Sequence, residues 1–265
     1  KEYRRQRQMC IRDRWKRVSD SLNKEGFVNY TRLSAVDGKK FDIDTQVKPL
    51  LTPDAFQKLG SVRGSHEELG SLGAIGCYLS HYKAWLEVAR TNKPALIIED
   101  DIEFNENWEK VPAIQNMDNL SVYDFVILGY HGPYNDVLPS YIPGDNKIVP
   151  YYGRFFGTQL YYITPKAARF FLKDALPIEY QVDSYMPFCY SKNREIKVGA
   201  HIPILAGQYF DVTDIQTPVN INVTFKTVVN FVVTRMSRKH VALFILIMIF
   251  LFIILCKLIY NIMDE

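Results

Sequence analysis

Apolar residues recur along this chain in two rhythms. Short unbroken runs rich in β-branched and aromatic side chains lie at 95–98 (ALII), within 124–129 (DFVILG), within 157–163 (GTQLYYI) and within 196–205. Runs of that length read as strands buried on both faces of a sheet, and 27–36 reads as a further strand. Between them the spacing changes to three and four. Trp15, Val18 and Leu22 predict a helix over 15–24, with Gly26 at its stop. Thr52-Pro53 starts a short helix over 51–59, because a capping hydroxyl followed by proline suits the first helical turn. Residues 73–90 read as an amphipathic helix with Leu79, Leu86 and Ala89 on one face and Cys77, Ser80 and His81 on another. Further helices are expected at 108–114 and at 166–174, where Thr164-Pro165 is the cap and Ala167, Phe170 and Phe171 face the core. Strands alternating with helices predict the α/β class with a largely parallel sheet. Residues 130–150, broken by Pro and Gly, read as a long loop of the kind that carries lids or acceptor contacts.

A different pattern takes over at 241–256, where no charge interrupts the apolar residues, and the run resumes after Lys257 to Met263. About 22 residues at 1.5 Å each reach roughly 33 Å, the thickness of a bilayer core. The expectation is a transmembrane helix at 241–263, preceded by a basic juxtamembrane linker at 221–240. Arg235, Arg238 and Lys239 lie before the run and Asp264 and Glu265 after it. Positive residues favour the cytoplasmic side, so the globular part is expected in the cytoplasm, anchored by a single C-terminal pass.

Composition narrows the rest. Of 265 residues, 48% are hydrophobic and 23% charged, enough for one sizeable core, and a net charge of +3 gives no reason to expect nucleic acid. The four cysteines (10, 77, 189 and 256) lie far apart with no CxxC, so neither a zinc framework nor a disulfide scaffold follows. Sequons at Asn29, Asn119 and Asn222 do not decide the compartment. Residues 1–14 lack both an apolar period and the apolar centre of a signal peptide, and the string MCIRDR looks like translated adapter sequence. They are expected to stand outside the fold, which then occupies 15–220.

The candidate chemistry sits where the 95–98 strand ends in Glu99-Asp100-Asp101. Three carboxylates at one point repel one another and call for positive charge. In an extended chain Glu99 and Asp101 share a side, offering two hard oxygen ligands that suit Mg²⁺ or Mn²⁺. In open α/β sheets ligands gather beyond the carboxyl ends of strands, the position of this cluster. The plainer alternative is an acidic turn capping a helix over 105–111. A Ser80-His81 pair near a glycine-rich helix start can contact phosphate or sugar hydroxyls, or be structural.

Taken in order, Arg32-Leu-Ser-Ala-Val-Asp-Gly38, Gly73-Ala-Ile-Gly-Cys-Tyr-Leu-Ser-His81 with Trp85, Ile98-Glu-Asp-Asp101, Gly157-Thr-Gln-Leu-Tyr-Tyr-Ile163 with Ala167, and Gln181-Val-Asp-Ser-Tyr-Met-Pro187 resemble the blocks of glycosyltransferase family 25. That family includes bacterial lipooligosaccharide galactosyltransferases and animal procollagen galactosyltransferases, and the Val182–Pro187 block looks closest to the collagen-modifying branch. The resemblance covers about 15–215. It implies a GT-A (Rossmann-like) fold and inverting transfer of a hexose, galactose or glucose, from a UDP-sugar with Mn²⁺. It further implies that Asp101 and Glu99 hold the metal, that Glu99 or Asp100 contacts ribose or a metal-bound water, and that Ser80 and His81 lie by the donor. Asp183 is the candidate general base, with a helix N-cap as its plainer role. Gln208 and Asp214 match a late block. Implied partners are a nucleotide-sugar donor, a glycan or hydroxylysine-type acceptor, and the membrane. The family's first strand, with its nucleotide-holding turn, has no counterpart before Trp15. A catalytically inactive, membrane-tethered scaffold is the alternative from another class. A phosphotransferase ranks below both, because its Asp-x-Asp start is missing.

Overall fold

The computed structural model describes residues 14–27, 29–61, 63–104, 120–131, 147–202 and 204–208. The expected helix at 108–114, Asp214, the basic linker and the apolar run at 241–263 lie outside the described residues. Among the described residues no helix is long and apolar enough to cross a membrane.

The helices form where spacing and caps place them. The first, α1, covers residues 14–24, with Val18 and Leu22 buried. In α2 (Pro53–Lys58) and α4 (Pro165–Leu172) a threonine hydroxyl accepts from the backbone N–H of the third helical residue, and proline follows the cap. The long α3 (Leu72–Thr91) is capped by Ser71 and ends at Asn92 in the left-handed region. A fifth helix, α5, spans Val182–Lys192.

Among the described residues seven strands follow in chain order: β1 Ala95–Ile98, β2 Ile102–Phe104, β3 Phe125–His131, β4 Lys147–Pro150, β5 Phe156–Ile163, β6 Val198–Ile202 and β7 Ala206–Gln208. Five form one sheet in the order β1-β5-β3-β6-β4, and β2 pairs with β7 apart from it. The largely parallel sheet expected from the sequence is corrected to a mixed one. Among the described strands only β3 and β6 are parallel neighbours in this sheet, while β1–β5, β5–β3 and β6–β4 are antiparallel. The physical reason lies in β5, which inserts between β1 and β3. Those two share a direction, and β5 runs against both.

Alternation splits the strands between two cores. Phe125, Ile127, Tyr161 and Ile163 pack with α3, α4 and α5, whereas Val126, Leu128, Leu160 and Tyr162 join Val18 and Leu22 of α1. Other corrections are local. Residues 29–36 carry no strand, and the run at 196–205 holds one shorter strand, β6, with β7 starting only at Ala206. The last part of the expected loop at 130–150 is β4. β1 is half-buried along its whole length, because it is the outer strand of the described sheet. In α3 the buried face runs through Tyr78, His81, Trp85 and Val88, and Leu86 is 46% exposed. Aromatic bulk, more than leucine spacing, turns that helix.

Candidate active site

The acidic turn is delivered by β1. The backbone N–H of Glu99 still donates to the Gln159 carbonyl at 3.0 Å, but residues 100–101 turn, so the extended disposition expected for the three carboxylates is not kept. Glu99 follows Ile97 in the strand alternation, and Ile97 packs into the core beneath α3. The carboxylate therefore arrives under that helix. Its Oε1 lies 3.0 Å from His81 Nε2 and accepts from Thr158 Oγ1 at 2.5 Å. On the far side of the imidazole, Nδ1 lies 2.9 Å from the Tyr161 hydroxyl, which accepts from Trp85 Nε1 at 3.1 Å.

Asp101 is anchored from the other direction. β2 and β7 pair with Ile102 opposite Gln208, and Gln208 Nε2 donates to Asp101 Oδ2 at 2.7 Å. The second oxygen, Oδ1, is buried and has no hydrogen-bond partner. Burial, followed by the charge of Glu99, raises the Asp101 pKa to about 6, against the Gln208 bond. Asp100 is exposed beside it.

Asp183 sits in the first turn of α5. It is not the N-cap; Gln181 is, and the Gln181 side-chain amide instead donates to the carbonyls of His66 and Glu68. The Asp183 carboxylate reaches across to β5 and accepts from the Gly157 N–H at 2.9 Å. Gly157 has φ of 80°, in the left-handed region that favours glycine. Burial raises the Asp183 pKa; the Gly157 bond opposes this and the Glu99 charge adds to it.

Cys77 reports how tightly these groups converge. Its thiol pKa is raised well above the usual value, first by burial and then by Glu99, Asp183, Asp101 and Asp100 together. One strand end and one helix start thus bring four carboxylates within electrostatic reach of one thiol, a grouping the sequence holds 84 positions apart at its extremes, from Glu99 to Asp183. Two kinds of ion suit this neighbourhood. Cys77, His81 and Glu99 offer ligand atoms within 4.8 Å of one another, a set for a borderline ion. The oxygens of Asp101 and Glu99 suit a hard divalent ion, and the buried, unpartnered Oδ1 of Asp101 is the acceptor such an ion would satisfy.

Ser80 is placed one step from this cluster. Its hydroxyl accepts from the Val36 N–H at 2.9 Å and donates to the Gly76 carbonyl at 2.7 Å, tying the 33–38 loop to α3. The contact is flush because Gly38 and Gly76 face each other; a Cβ on Gly76 would stand 2.6 Å from the Val36 carbonyl oxygen. Of the predicted site residues, Glu99, Asp100, Asp101, His81, Asp183 and Gln208 are brought together, and Ser80 serves the adjoining loop. Thr158, Tyr161 and Trp85 were given no role by sequence reasoning, although all three stand in the quoted blocks. The antiparallel placement of β5 beside β1 reveals Thr158 and Tyr161, and the packing of α3 against β5 reveals Trp85.

The chain matches the family model described as "Glycosyltransferase family 25 (LPS biosynthesis protein)" over residues 10–186. A protein named "Glycosyltransferase 25 family member" from Drosophila melanogaster is 27% identical over 187 residues, 69% of this chain and 29% of that protein. "Procollagen galactosyltransferase 1-A" of Xenopus laevis is 27% identical over 191 residues, again 69% of this chain and 29% of the relative. "Procollagen galactosyltransferase 2" of Homo sapiens is 36% identical over a shorter stretch of 90 residues, 33% of this chain and 13% of the relative. The chain spans less than a third of the length of these curated relatives.

Proposed function

Since this chain belongs to glycosyltransferase family 25, we propose that its described domain transfers a hexose, galactose or glucose, from a UDP-sugar with inversion. The observation that carries the proposal is the acidic turn itself, with Asp101 fixed by Gln208 and its other oxygen buried and unpaired beside Glu99. Asp101 and Glu99 hold the divalent cation, Mn²⁺ or Mg²⁺. When bound, that ion clamps the donor diphosphate and offsets the charge on the departing nucleoside diphosphate. Gln208 fixes the rotation of Asp101, and exposed Asp100 faces the donor side. Ser80 acts through the loop it tethers.

Asp183 takes the proton of the acceptor hydroxyl. Its burial favours the protonated product of that step, and the Gly157 N–H holds the carboxylate in one orientation. The acceptor is a glycan or a hydroxylysine-type hydroxyl. The 241–263 run anchors the chain by one pass, with the catalytic domain on the side of Arg235, Arg238 and Lys239, the cytoplasm.

The test is UDP release from UDP-galactose and UDP-glucose by the full chain, with and without Mn²⁺. Metal-stimulated release that vanishes in Asp101→Ala is the expected result. Metal-independent UDP binding with no release in either protein favours a tethered scaffold and overturns the enzyme.

A further inference from the structure

Trp85, Tyr161, His81 and Glu99 form a chain of hydrogen bonds whose direction can be read from donor chemistry alone. An indole N–H can only donate, so Tyr161 Oη accepts from Trp85 Nε1 at 3.1 Å. The Tyr161 proton then has one bonded acceptor among the described residues, His81 Nδ1 at 2.9 Å. Burial holds the Tyr161 phenol far above its ordinary pKa, so it keeps the proton it donates. Nδ1 is therefore bare, and the ring hydrogen sits on Nε2. From there it points to Glu99 Oε1 at 3.0 Å and to Thr158 Oγ1 at 3.1 Å, while the Thr158 hydroxyl donates to the same Oε1. Two donors on one oxygen fix both the position and the rotation of the carboxylate.

We propose that His81 is the positioning residue of the acidic turn: the Trp85–Tyr161 pair locks it as the Nε2–H tautomer, and with Thr158 it orients Glu99 toward the cation shared with Asp101. His81 touches neither donor nor ion in this arrangement. The alternative use of the same atoms, a cation held by Cys77, His81 and Glu99, needs Nε2 stripped of its hydrogen, and the Tyr161 bond opposes that. Trp85 and His81 both lie on the buried face of α3, with relative exposures of 0% and 5%, so the relay is shielded from water that could scramble the tautomer. The inference rests on the glycosyltransferase reading for its cation, and the relay itself does not.

Three measurements on the full chain separate the outcomes. Nitrogen-15 NMR of labelled histidine should show His81 as the Nε2–H form in the wild type and a tautomer mixture in Tyr161→Phe. Mn²⁺ affinity by titration calorimetry should fall about tenfold or more in His81→Phe, the range for lost orienting partners, and return toward wild type in His81→Gln, whose amide can donate to Glu99. Equal affinity in folded His81→Phe and His81→Gln, or an Nδ1–H tautomer in the wild type, overturns the proposal. A sulfur-to-cobalt charge-transfer band on Co²⁺ loading that disappears in Cys77→Ser, together with a cobalt ligand-field spectrum that changes in His81→Gln, overturns it too, by making His81 a ligand. If Asp101→Asn leaves Mn²⁺ affinity unchanged, the cation reading fails; if only His81→Phe does, the positioning role fails alone.

Discussion

At the scale of single residues, environment divides the carboxylates by task. Glu99 accepts from Thr158 and faces His81, Asp101 is held by Gln208 with one oxygen left over, and Asp183 by the Gly157 N–H and, at 3.5 Å, the Ser184 hydroxyl. The clearest prediction concerns Asp183→Asn. The amide oxygen keeps the Gly157 contact, so the fold should survive while the base is removed. Turnover should drop by about 10²–10⁴-fold with the donor KM little changed. Steady-state UDP-release kinetics check this, and a loss under tenfold would leave Asp183 a purely structural link between α5 and β5. The acidic triplet was legible in sequence because three consecutive carboxylates after an apolar strand are conspicuous. Thr158 and Tyr161 were not, since an ordinary strand hydroxyl and phenol gain meaning only from the strand they lie beside.

Among the elements, α3 carries the most. Its first turns receive the 33–38 loop, its middle supplies His81, and its buried aromatics fill the core. Gly76→Ala should destabilise the protein by about 1–3 kcal/mol, because its Cβ meets backbone, the Val36 carbonyl oxygen at 2.6 Å and the Gly38 nitrogen at 2.7 Å. Leu86→Ser should stay within about 0.5 kcal/mol, as expected for a surface site. Urea melts of both variants provide the comparison, and the opposite ranking would mean that the helix is rotated from the orientation described. The helix itself was readable from spacing and from its glycine-punctuated start, whereas its inward face and its Ser71 cap were not. Leu79, Leu86 and Ala89 form a fair apolar stripe, yet Trp85, Tyr78 and His81 find partners in β5 and α5 that a single helix does not display. Strand 95–98 was likewise found in place, and its half-burial reflects its rank in the sheet order.

For the whole molecule, gathering acidic groups in partial burial couples stability to pH and to cations. Asp101 and Asp183 have folded-state pKa values above their ordinary ones. Each therefore contributes stability that is complete below the ordinary carboxylate range and is lost as pH rises, for Asp101 through about 6. Without metal, the wild type should gain melting temperature relative to Asp101→Asn on going from pH 7 to pH 5. Mn²⁺ should raise the wild-type melting temperature more at pH 7 than at pH 5, since protons and the ion compete for the same oxygens. Calorimetric melts at both pH values, with and without Mn²⁺, test this; an equal Mn²⁺ effect at the two would detach the ion from these carboxylates. The sequence by itself determined α1 to α4, the threonine caps of α2 and α4, the strands β1, β3, β5 and β6, the family and the acidic turn, because these depend on neighbours within a few positions. Tertiary structure alone decided that β5 runs antiparallel between β1 and β3, that Gln208 meets Asp101, and that a Trp–Tyr–His relay ends on Glu99. Those contacts join residues from 18 to 107 positions apart, where pairing is set by sheet order and core packing, and no local pattern encodes it.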